Sequence, residues 1–249
     1  MRMVDTGAVQ LHTTDLGAGP ALVMVHGLLV GSLASWYLTA APALARTHAV
    51  RLYDLRGHGR STRPPTGYDT RTMAGDLAAL AADLPGPIDV VGHSYGALVA
   101  LRFAQAHPTR VRRLSLVEAP LPPSRFADEH DLLAATPDQQ LAALPAPLAA
   151  AITSGRRPAA RLLATLRGLA FDTTLRADLR AEPDVTDAEL AAITAPTLCA
   201  YGDRSSCLPA GRRLAAALPA GRLAIFSGGH YLHLDARDAL AAALVEHHG

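Results

Sequence analysis

The chain has 249 residues, of which 49% are hydrophobic and 18% are charged, and its formal net charge is +1. This length and apolar content suit one α/β domain that carries an insertion, and the near-neutral charge excludes strong electrostatic attraction to nucleic acid or to an acidic membrane surface. Because no apolar run approaches the ~20 residues of a membrane span and the first residues lack the apolar stretch of a secretory signal, we expect a cytoplasmic protein without nucleic-acid or membrane partners.

Seven apolar runs have the character of buried strands, and helix-like stretches separate most of them. The strands are predicted at residues 9–13, 21–25, 49–53, 88–91, 114–117, 197–201 and 223–226. The helices are predicted at residues 35–45, 70–83, 97–107, 209–218 and 236–247. Short, continuously apolar strands that alternate with helices are typical of a mostly parallel, doubly wound sheet with helices on both faces. The sequence therefore predicts an α/β fold.

The alternation breaks in the middle of the chain. Residues 119–195 contain many prolines and several short helical patterns without a convincing strand. We interpret this segment as an inserted helical lid over a core domain formed by residues 1–118 and 196–249. Lids of this kind exclude water and shape a substrate pocket.

A serine stands at the apex of a predicted strand–turn–helix. The segment Gly92-His93-Ser94-Tyr95-Gly96 follows an apolar strand and precedes an alanine-rich helix. A sharp turn at this place exposes the serine Oγ above the sheet, and the two glycines leave room for it. This context predicts that Ser94 is a catalytic nucleophile, whereas the alternative is a glycine-rich turn packed closely beneath a helix.

A serine nucleophile needs a base, and the base needs an acid that orients it. His230 follows two glycines on the loop after the strand at 223–226, so we predict that it is the base, with His233 as the rival. Asp203 follows the strand at 197–201 and is predicted to be the acid. Glu118, at the end of the strand at 114–117, remains the alternative acid.

Backbone donors are needed for the oxyanion that forms during acyl transfer. One is predicted to be the N–H of Tyr95, directly after the nucleophile. The other is predicted to be the N–H of Leu28 in the loop His26-Gly27-Leu28-Leu29, which follows the strand at 21–25. Gly27 would let this backbone turn inward, and an ordinary strand-ending turn is the alternative.

These motifs together resemble the α/β-hydrolase superfamily, in its group of lid-bearing small serine hydrolases. The chain order Ser94, Asp203, His230 matches that superfamily. The resemblance covers nearly the whole chain, because His26-Gly27 and the block at residues 54–61 match it as well. The resemblance implies a structural role for that block, so His58 is not counted as catalytic. A serine rather than an aspartate at the elbow argues against haloalkane dehalogenase or epoxide hydrolase chemistry.

The resemblance implies hydrolysis of an ester, lactone or thioester of a small, largely apolar substrate, with no cofactor and no metal. Alternatives on the same triad are carbon–carbon bond hydrolysis, perhydrolysis, and cyclisation or off-loading in natural-product biosynthesis. A non-catalytic ligand-binding protein on this fold remains a further alternative.

Four more side chains are predicted near the substrate on weaker grounds. His26 and Trp36 flank the oxyanion loop, and Trp36 also suits plain helix–sheet packing. Arg156 and Arg157 in the lid suit an anionic group, such as that of an acyl-carrier protein or a CoA thioester, but equally a solvated surface with weak ion pairs.

Overall fold

The computed structural model describes residues 2–123, 146–154 and 157–249. Its centre is an eight-stranded sheet with the spatial order β1-β2-β4-β3-β5-β6-β7-β8. The strands β1 and β2 are antiparallel to their neighbours, and the remaining neighbours pair in parallel. The strands are β1 (Arg2–Asp5), β2 (Gln10–Leu16), β3 (Ala21–Val25), β4 (Ala49–Tyr53), β5 (Ile88–His93), β6 (Val111–Val117), β7 (Thr197–Gly202) and β8 (Gly221–Phe226). The prediction of an α/β fold on a mostly parallel sheet is confirmed.

The helices connect the strands and cover the sheet. They are α1 (Ala34–Tyr37), α2 (Ala41–Leu44), α3 (Thr70–Leu80), α4 (Tyr95–Ala106), α5 (Ala146–Thr153), α6 (Arg157–Phe171), α7 (Leu175–Ala181), α8 (Asp187–Ala191), α9 (Leu208–Ala217), α10 (Leu232–Asp235) and α11 (Arg237–His248). In the parts of the chain that the structure describes, no helix is both long and apolar enough to cross a membrane.

Two apolar layers enclose the sheet, and alternate residues of one strand belong to different layers. In β3, Val23 and Val25 join a layer with side chains of α3, α4 and α9, whereas Leu22 and Met24 join one with side chains of α1, α2 and α11. This division follows from the two-residue period of a strand, whose successive side chains point to opposite faces. Because the central strands are apolar on both faces, they read in the sequence as continuous apolar runs.

The segment predicted as a lid is helical in its described part, where it contributes α5 to α8. It is attached to the core by buried hydrogen bonds. The carboxylate of Glu182 accepts from the backbone N–H of Thr70 at 2.9 Å and from its hydroxyl at 2.5 Å. The carboxylate of Asp178 accepts from the N–H of Tyr68 at 2.8 Å. The division into core and lid stays a prediction. These hydrogen bonds hold the end of the segment, near Asp178 and Glu182, against the start of α3.

Candidate active site

The parallel strands bring the predicted site residues to one edge of the sheet. The loops after β3, β5, β6, β7 and β8 all leave from the carboxyl ends of neighbouring parallel strands. Functional groups of open α/β sheets meet at such an edge. The residues concerned are Leu28, Ser94, Glu118, Asp203 and His230.

Ser94 occupies the turn between β5 and α4 in a strained backbone conformation. Its φ is +54° and its ψ is −125°, a region that side-chain-bearing residues rarely adopt. The Ser94 N–H donates to the carbonyl of Val117 at 2.8 Å, which fixes the turn against β6. The flanking glycines are required by space. A Cβ on Gly92 would lie 2.5 Å from the Cα of Ala97, and one on Gly96 would overlap the carbonyl of His26.

His230 contacts Ser94, the predicted nucleophile, directly. Its Nε2 lies 2.9 Å from Ser94 Oγ, although 136 residues separate the two in the chain. The backbone carbonyl of His230 accepts a hydrogen bond from Nε2 of His93 at 2.8 Å, which holds the loop in place. For Nε2 to accept the serine proton, Nδ1 must carry the hydrogen of the neutral ring.

The rival histidine lies elsewhere in the same aromatic cluster. The ring of His233 packs 4.7 Å from the ring of His93 and 5.8 Å from that of Trp36. Burial, followed by the charge of His230, lowers the pKa of His233 to about 4. The structure therefore places a neutral, buried His233 beneath the site and His230 at the serine.

The acid beside His230 is Glu118, which requires a correction to the predicted arrangement. Oε2 of the fully buried Glu118 lies 3.4 Å from Nδ1 of His230. The carboxylate of Asp203 is instead half-exposed, accepts from the N–H of Gly228 at 2.9 Å and pairs with Arg204. Of the two acids that the sequence left open, the structure brings Glu118 to the imidazole.

Local geometry explains why Glu118 reaches the imidazole. Its φ is +56°, a left-handed conformation at the end of β6. Its Oε1 accepts from the N–H of Gly202 at 2.5 Å, and its Oε2 accepts from the hydroxyl of Ser205. Two donors from the end of β7 thus hold a buried carboxylate in one orientation, which buried charges need.

The environment of His230 changes its basicity. Burial lowers the pKa of the imidazole, but the hydrogen bonds and charges of Cys207 and Glu118 outweigh burial and raise the pKa to about 9. Cys207 Sγ lies 3.7 Å from Nδ1, on the same side of the ring as the carboxylate. A raised pKa means that these neighbouring groups stabilise the protonated form of the imidazole, the imidazolium.

The predicted oxyanion loop touches the nucleophile. A Cβ on Gly27 would lie 3.0 Å from Nδ1 of His93 and 3.1 Å from Cβ of Ser94, so a side chain here would force these neighbours to shift by a few tenths of an ångström. Leu28 follows it in a buried position, and Tyr95 begins α4 directly after the serine. The structure thus brings the loop that carries Leu28 against Ser94, and Tyr95 follows Ser94 in the chain. The role of both residues as oxyanion donors stays a prediction.

Buried polar groups hold the oxyanion loop. The ring of His26 donates from Nδ1 to the carbonyl of Gly27 at 2.7 Å and accepts at Nε2 from the N–H of Leu55 at 3.0 Å. Nε2 of His58 accepts from the N–H of Leu29 at 3.0 Å, where Leu29 has a φ of +66°. Both rings form hydrogen bonds that hold the loop in place. His26 therefore supports the structure of the site and does not line a substrate pocket.

The block at residues 54–61 serves the same loop. The carboxylate of Asp54 accepts from the N–H of Leu33 at 2.8 Å and from that of Arg60 at 3.0 Å. Burial, then the charge of His26, lowers the pKa of His58 to about 3, so His58 is neutral and remains an acceptor. This block positions the loop after β3, and its residues act through that loop.

The remaining predicted substrate-contacting residues fall into two groups. Trp36 is 1% exposed and its indole N–H donates to the carbonyl of Val25 at 3.0 Å, so it is core packing instead of a pocket wall. Arg156 lies outside the described residues. Arg157 is the first residue of α6, and its side chain is likewise outside them.

Comparison with known proteins agrees with this fold. A protein-family model described as "Alpha/beta hydrolase family" matches residues 22–243. The chain is 38% identical over 112 residues to the "Soluble epoxide hydrolase" of Corynebacterium sp. strain C12, across 44% of this chain and 38% of that protein. It is 41% identical over 109 residues to the "Pimeloyl-[acyl-carrier protein] methyl ester esterase" of Chromobacterium violaceum, across 44% of this chain and 41% of that protein.

These sequence matches therefore span less than half of the length of either curated relative. A likeness over the whole chain comes from a solved structure, that of a hydrolase from Pseudomonas aeruginosa PA01. It superposes with a TM-score of 0.80 at 26% identity and covers 100% of this chain and 98% of that one.

Proposed function

The chain belongs to the alpha/beta hydrolase family, and we propose that it is a serine hydrolase that cleaves an ester, lactone or thioester bond of a small, largely apolar substrate through an acyl-enzyme on Ser94. The observation that carries the proposal is the 2.9 Å contact between Ser94 Oγ and Nε2 of His230, with Glu118 at the other ring nitrogen. This arrangement supplies a nucleophile, a base and an orienting acid in consecutive contact.

The proposed reaction has two halves. In the first, Ser94 Oγ attacks the acyl carbon while His230 takes its proton, and the imidazolium then returns this proton to the leaving group. In the second, water attacks the acyl-enzyme with His230 again as base, and the acid product leaves. Glu118 keeps the hydrogen on Nδ1 and stabilises the imidazolium in both halves.

The proposed oxyanion site is formed by the backbone amides of Leu28 and Tyr95. Support comes from the close approach of Gly27 to Ser94 and from the position of Tyr95 at the start of α4, where the positive end of the helix dipole favours a negative charge. Loss of one such donor costs about 3 kcal/mol of transition-state stabilisation. Residues 119–195 are proposed to cover this site as a lid.

The substrate class has indirect support. The name of the Chromobacterium violaceum relative specifies a methyl ester carried on an acyl-carrier protein. An acyl ester or an acyl thioester, delivered free, on CoA or on an acyl-carrier protein, is therefore the first substrate class to test. Arg156 and Arg157 in the proposed lid are candidates for binding the anionic group of such a CoA or carrier-protein substrate.

A Ser94→Ala variant tests the proposal. The wild type is expected to hydrolyse p-nitrophenyl acyl esters and to be labelled by a fluorophosphonate, and Ser94→Ala is expected to lose both. Ser227→Ala, which removes an exposed hydroxyl on the loop after β8, is the matched control and is expected to keep both. Equal labelling of wild type and Ser94→Ala would contradict the assignment of the nucleophile. A wild type that takes up no label and hydrolyses no ester would favour a non-catalytic ligand-binding role.

Product analysis in isotopically labelled water separates the reaction types. Hydrolysis of an ester, lactone or thioester places the label in the carboxylic acid product. Cyclisation by an internal nucleophile leaves the product unlabelled, and perhydrolysis gives a peracid. Carbon–carbon cleavage is recognised by its two carbon fragments.

A further inference from the structure

The side chains of His230 and Glu118 lie close to the thiol of Cys207. Nδ1 of His230 lies 3.7 Å from Sγ of Cys207 and 3.4 Å from Oε2 of Glu118. Each of the three side chains offers an atom within 4.8 Å of the other two. Glu118 and Cys207 are buried, at 0% and 6% exposure, and they come from two different loops that meet at this ring.

We propose that Glu118, Cys207 and Nδ1 of His230 form an inhibitory binding site for Zn²⁺. Imidazole, thiolate and carboxylate are the ligands that Zn²⁺ prefers, and three protein ligands with one open position is a common zinc arrangement. The proposal rests on the proposed function only for its consequence, inhibition; the binding itself depends on the three side chains alone.

The distances agree with those of a tetrahedral zinc site. With Zn–N of about 2.05 Å and Zn–S of about 2.3 Å, tetrahedral angles place the nitrogen and the sulfur about 3.6 Å apart. With Zn–O of about 2.1 Å they place the nitrogen and the oxygen about 3.4 Å apart. The observed separations of Nδ1 from the sulfur and from the oxygen are 3.7 Å and 3.4 Å, which agree with these two values.

Neighbouring groups hold the ligands in these positions. The hydroxyl of Ser205 donates to the carboxylate of Glu118 and accepts from the backbone N–H of Cys207 at 3.1 Å, so one side chain ties two ligands together. The N–H of Gly202 fixes the second carboxylate oxygen. Hydrogen bonds of this kind to the ligands raise metal affinity.

Occupation of the site disables the base. Zn²⁺ binds the lone pair of Nδ1, so this nitrogen gives up its hydrogen and the ring keeps one hydrogen, on Nε2. The thiol proton and the second proton of an imidazolium go to solvent. Nε2 then carries a hydrogen and faces Ser94 Oγ as a donor. His230 can no longer accept the serine proton, so the first step of acyl transfer stops.

Zinc titration of the purified chain tests the site. Calorimetry with ZnCl₂ is expected to show one tight site per chain in the wild type. Hydrolysis of a p-nitrophenyl ester is expected to fall with the same zinc dependence and to recover fully after addition of EDTA. Cys207→Ser is expected to weaken both binding and inhibition at least tenfold, with each rate expressed relative to the variant's own zinc-free rate.

Two controls keep the result specific. Cys199→Ala removes the other cysteine, which is buried within β7, and is expected to keep the zinc response. Cys207→Ala, with a melting curve for every variant, replaces Cys207→Ser should the serine variant fold poorly. The controls matter because ten of the 11 histidines lie outside the proposed site, and imidazole is a common zinc ligand.

The outcomes are distinguishable. Absence of a tight site in the wild type, or equal zinc binding and inhibition in wild type and Cys207→Ser, overturns the proposal. Binding that depends on Cys207 in a protein that hydrolyses no ester and resists the fluorophosphonate supports the zinc site and contradicts the proposed function instead.

Discussion

The acid of the site provides the sharpest test, because two carboxylates lie at the same edge of the sheet. We expect Glu118→Gln to reduce kcat strongly and Asp203→Asn to change it by less than about threefold. Both substitutions remove one negative charge and preserve the shape of the side chain, so they form a matched pair. The difference between them follows from position: Glu118 faces Nδ1 of His230, whereas Asp203 is half-exposed and holds the N–H of Gly228.

The size of the effect follows from the 3.4 Å separation between Oε2 of Glu118 and Nδ1 of His230. At an effective dielectric constant of about 20, two unit charges at this distance interact by about 5 kcal/mol. This attraction exists only when the imidazolium has formed. The amide of glutamine retains part of it as a dipole, so we expect a loss of about 10²- to 10³-fold in kcat, at 1.36 kcal/mol per factor of ten.

The assay is steady-state hydrolysis of a p-nitrophenyl acyl ester as a function of pH. Glu118→Gln is expected to lower the pKa that governs kcat/KM, because one of the groups that raises the pKa of His230 is gone. A purely structural role for Glu118 would lower the melting temperature without moving this pKa. A loss in Asp203→Asn as large as in Glu118→Gln would refute the assignment.

Three further predictions concern the base and the oxyanion loop. For the wild type, kcat/KM is expected to rise with pH up to about 9, because His230 must be neutral to act as a base and its pKa is raised to about 9; a plateau already reached at pH 7 would contradict this. Gly27→Ala is expected to lower kcat/KM more than tenfold in a folded protein, since its Cβ would press on His93 and on Ser94 at 3.0 and 3.1 Å; unchanged kinetics would show that the loop has room to move. His58→Ala leaves the buried N–H of Leu29 without its acceptor, and we expect it to lower the free energy of unfolding in urea by about 1–3 kcal/mol; an unchanged urea midpoint would argue against this brace.

Most of the sheet was predictable because its strands are apolar on both faces. The exception is β1, Arg2–Asp5, whose side chains are largely exposed and which contains only two apolar residues, Met3 and Val4. It pairs with β2 alone, at the edge of the sheet. Edge strands bury too little side-chain surface to show in composition, and their pairing is decided by the backbone of the neighbouring strand.

The predicted helix at residues 35–45 shows a different limit. The structure has two short helices there, α1 (Ala34–Tyr37) and α2 (Ala41–Leu44), and Pro42 lies at the start of the second. A proline in the first turn of a helix is favourable, whereas one in the middle breaks it. The apolar periodicity continued across the break, so only the position of Pro42 could have revealed it.

Within the site, the apolar runs in the sequence located the ends of the strands. They did not decide whether the acid follows β6 or β7. Both Asp203 and Glu118 follow a buried strand, and both strands are neighbours of the sheet edge where His230 lies. The choice depends on a backbone angle, the left-handed φ of Glu118, and on hydrogen bonds that no local pattern encodes. The signal available in the sequence was a glutamate directly after an apolar strand.

The loop after β7 keeps a part in the site even though its own aspartate does not face the imidazole. The N–H of Gly202 and the hydroxyl of Ser205 both donate to Glu118, and Ser205 also receives the N–H of Cys207. A buried polar group needs such hydrogen-bond partners. The acid therefore follows β6, and its hydrogen-bond donors come from the end of β7 and the loop after it. A substitution in either loop is expected to alter the position of the His230 imidazole and, through it, the contact with Ser94.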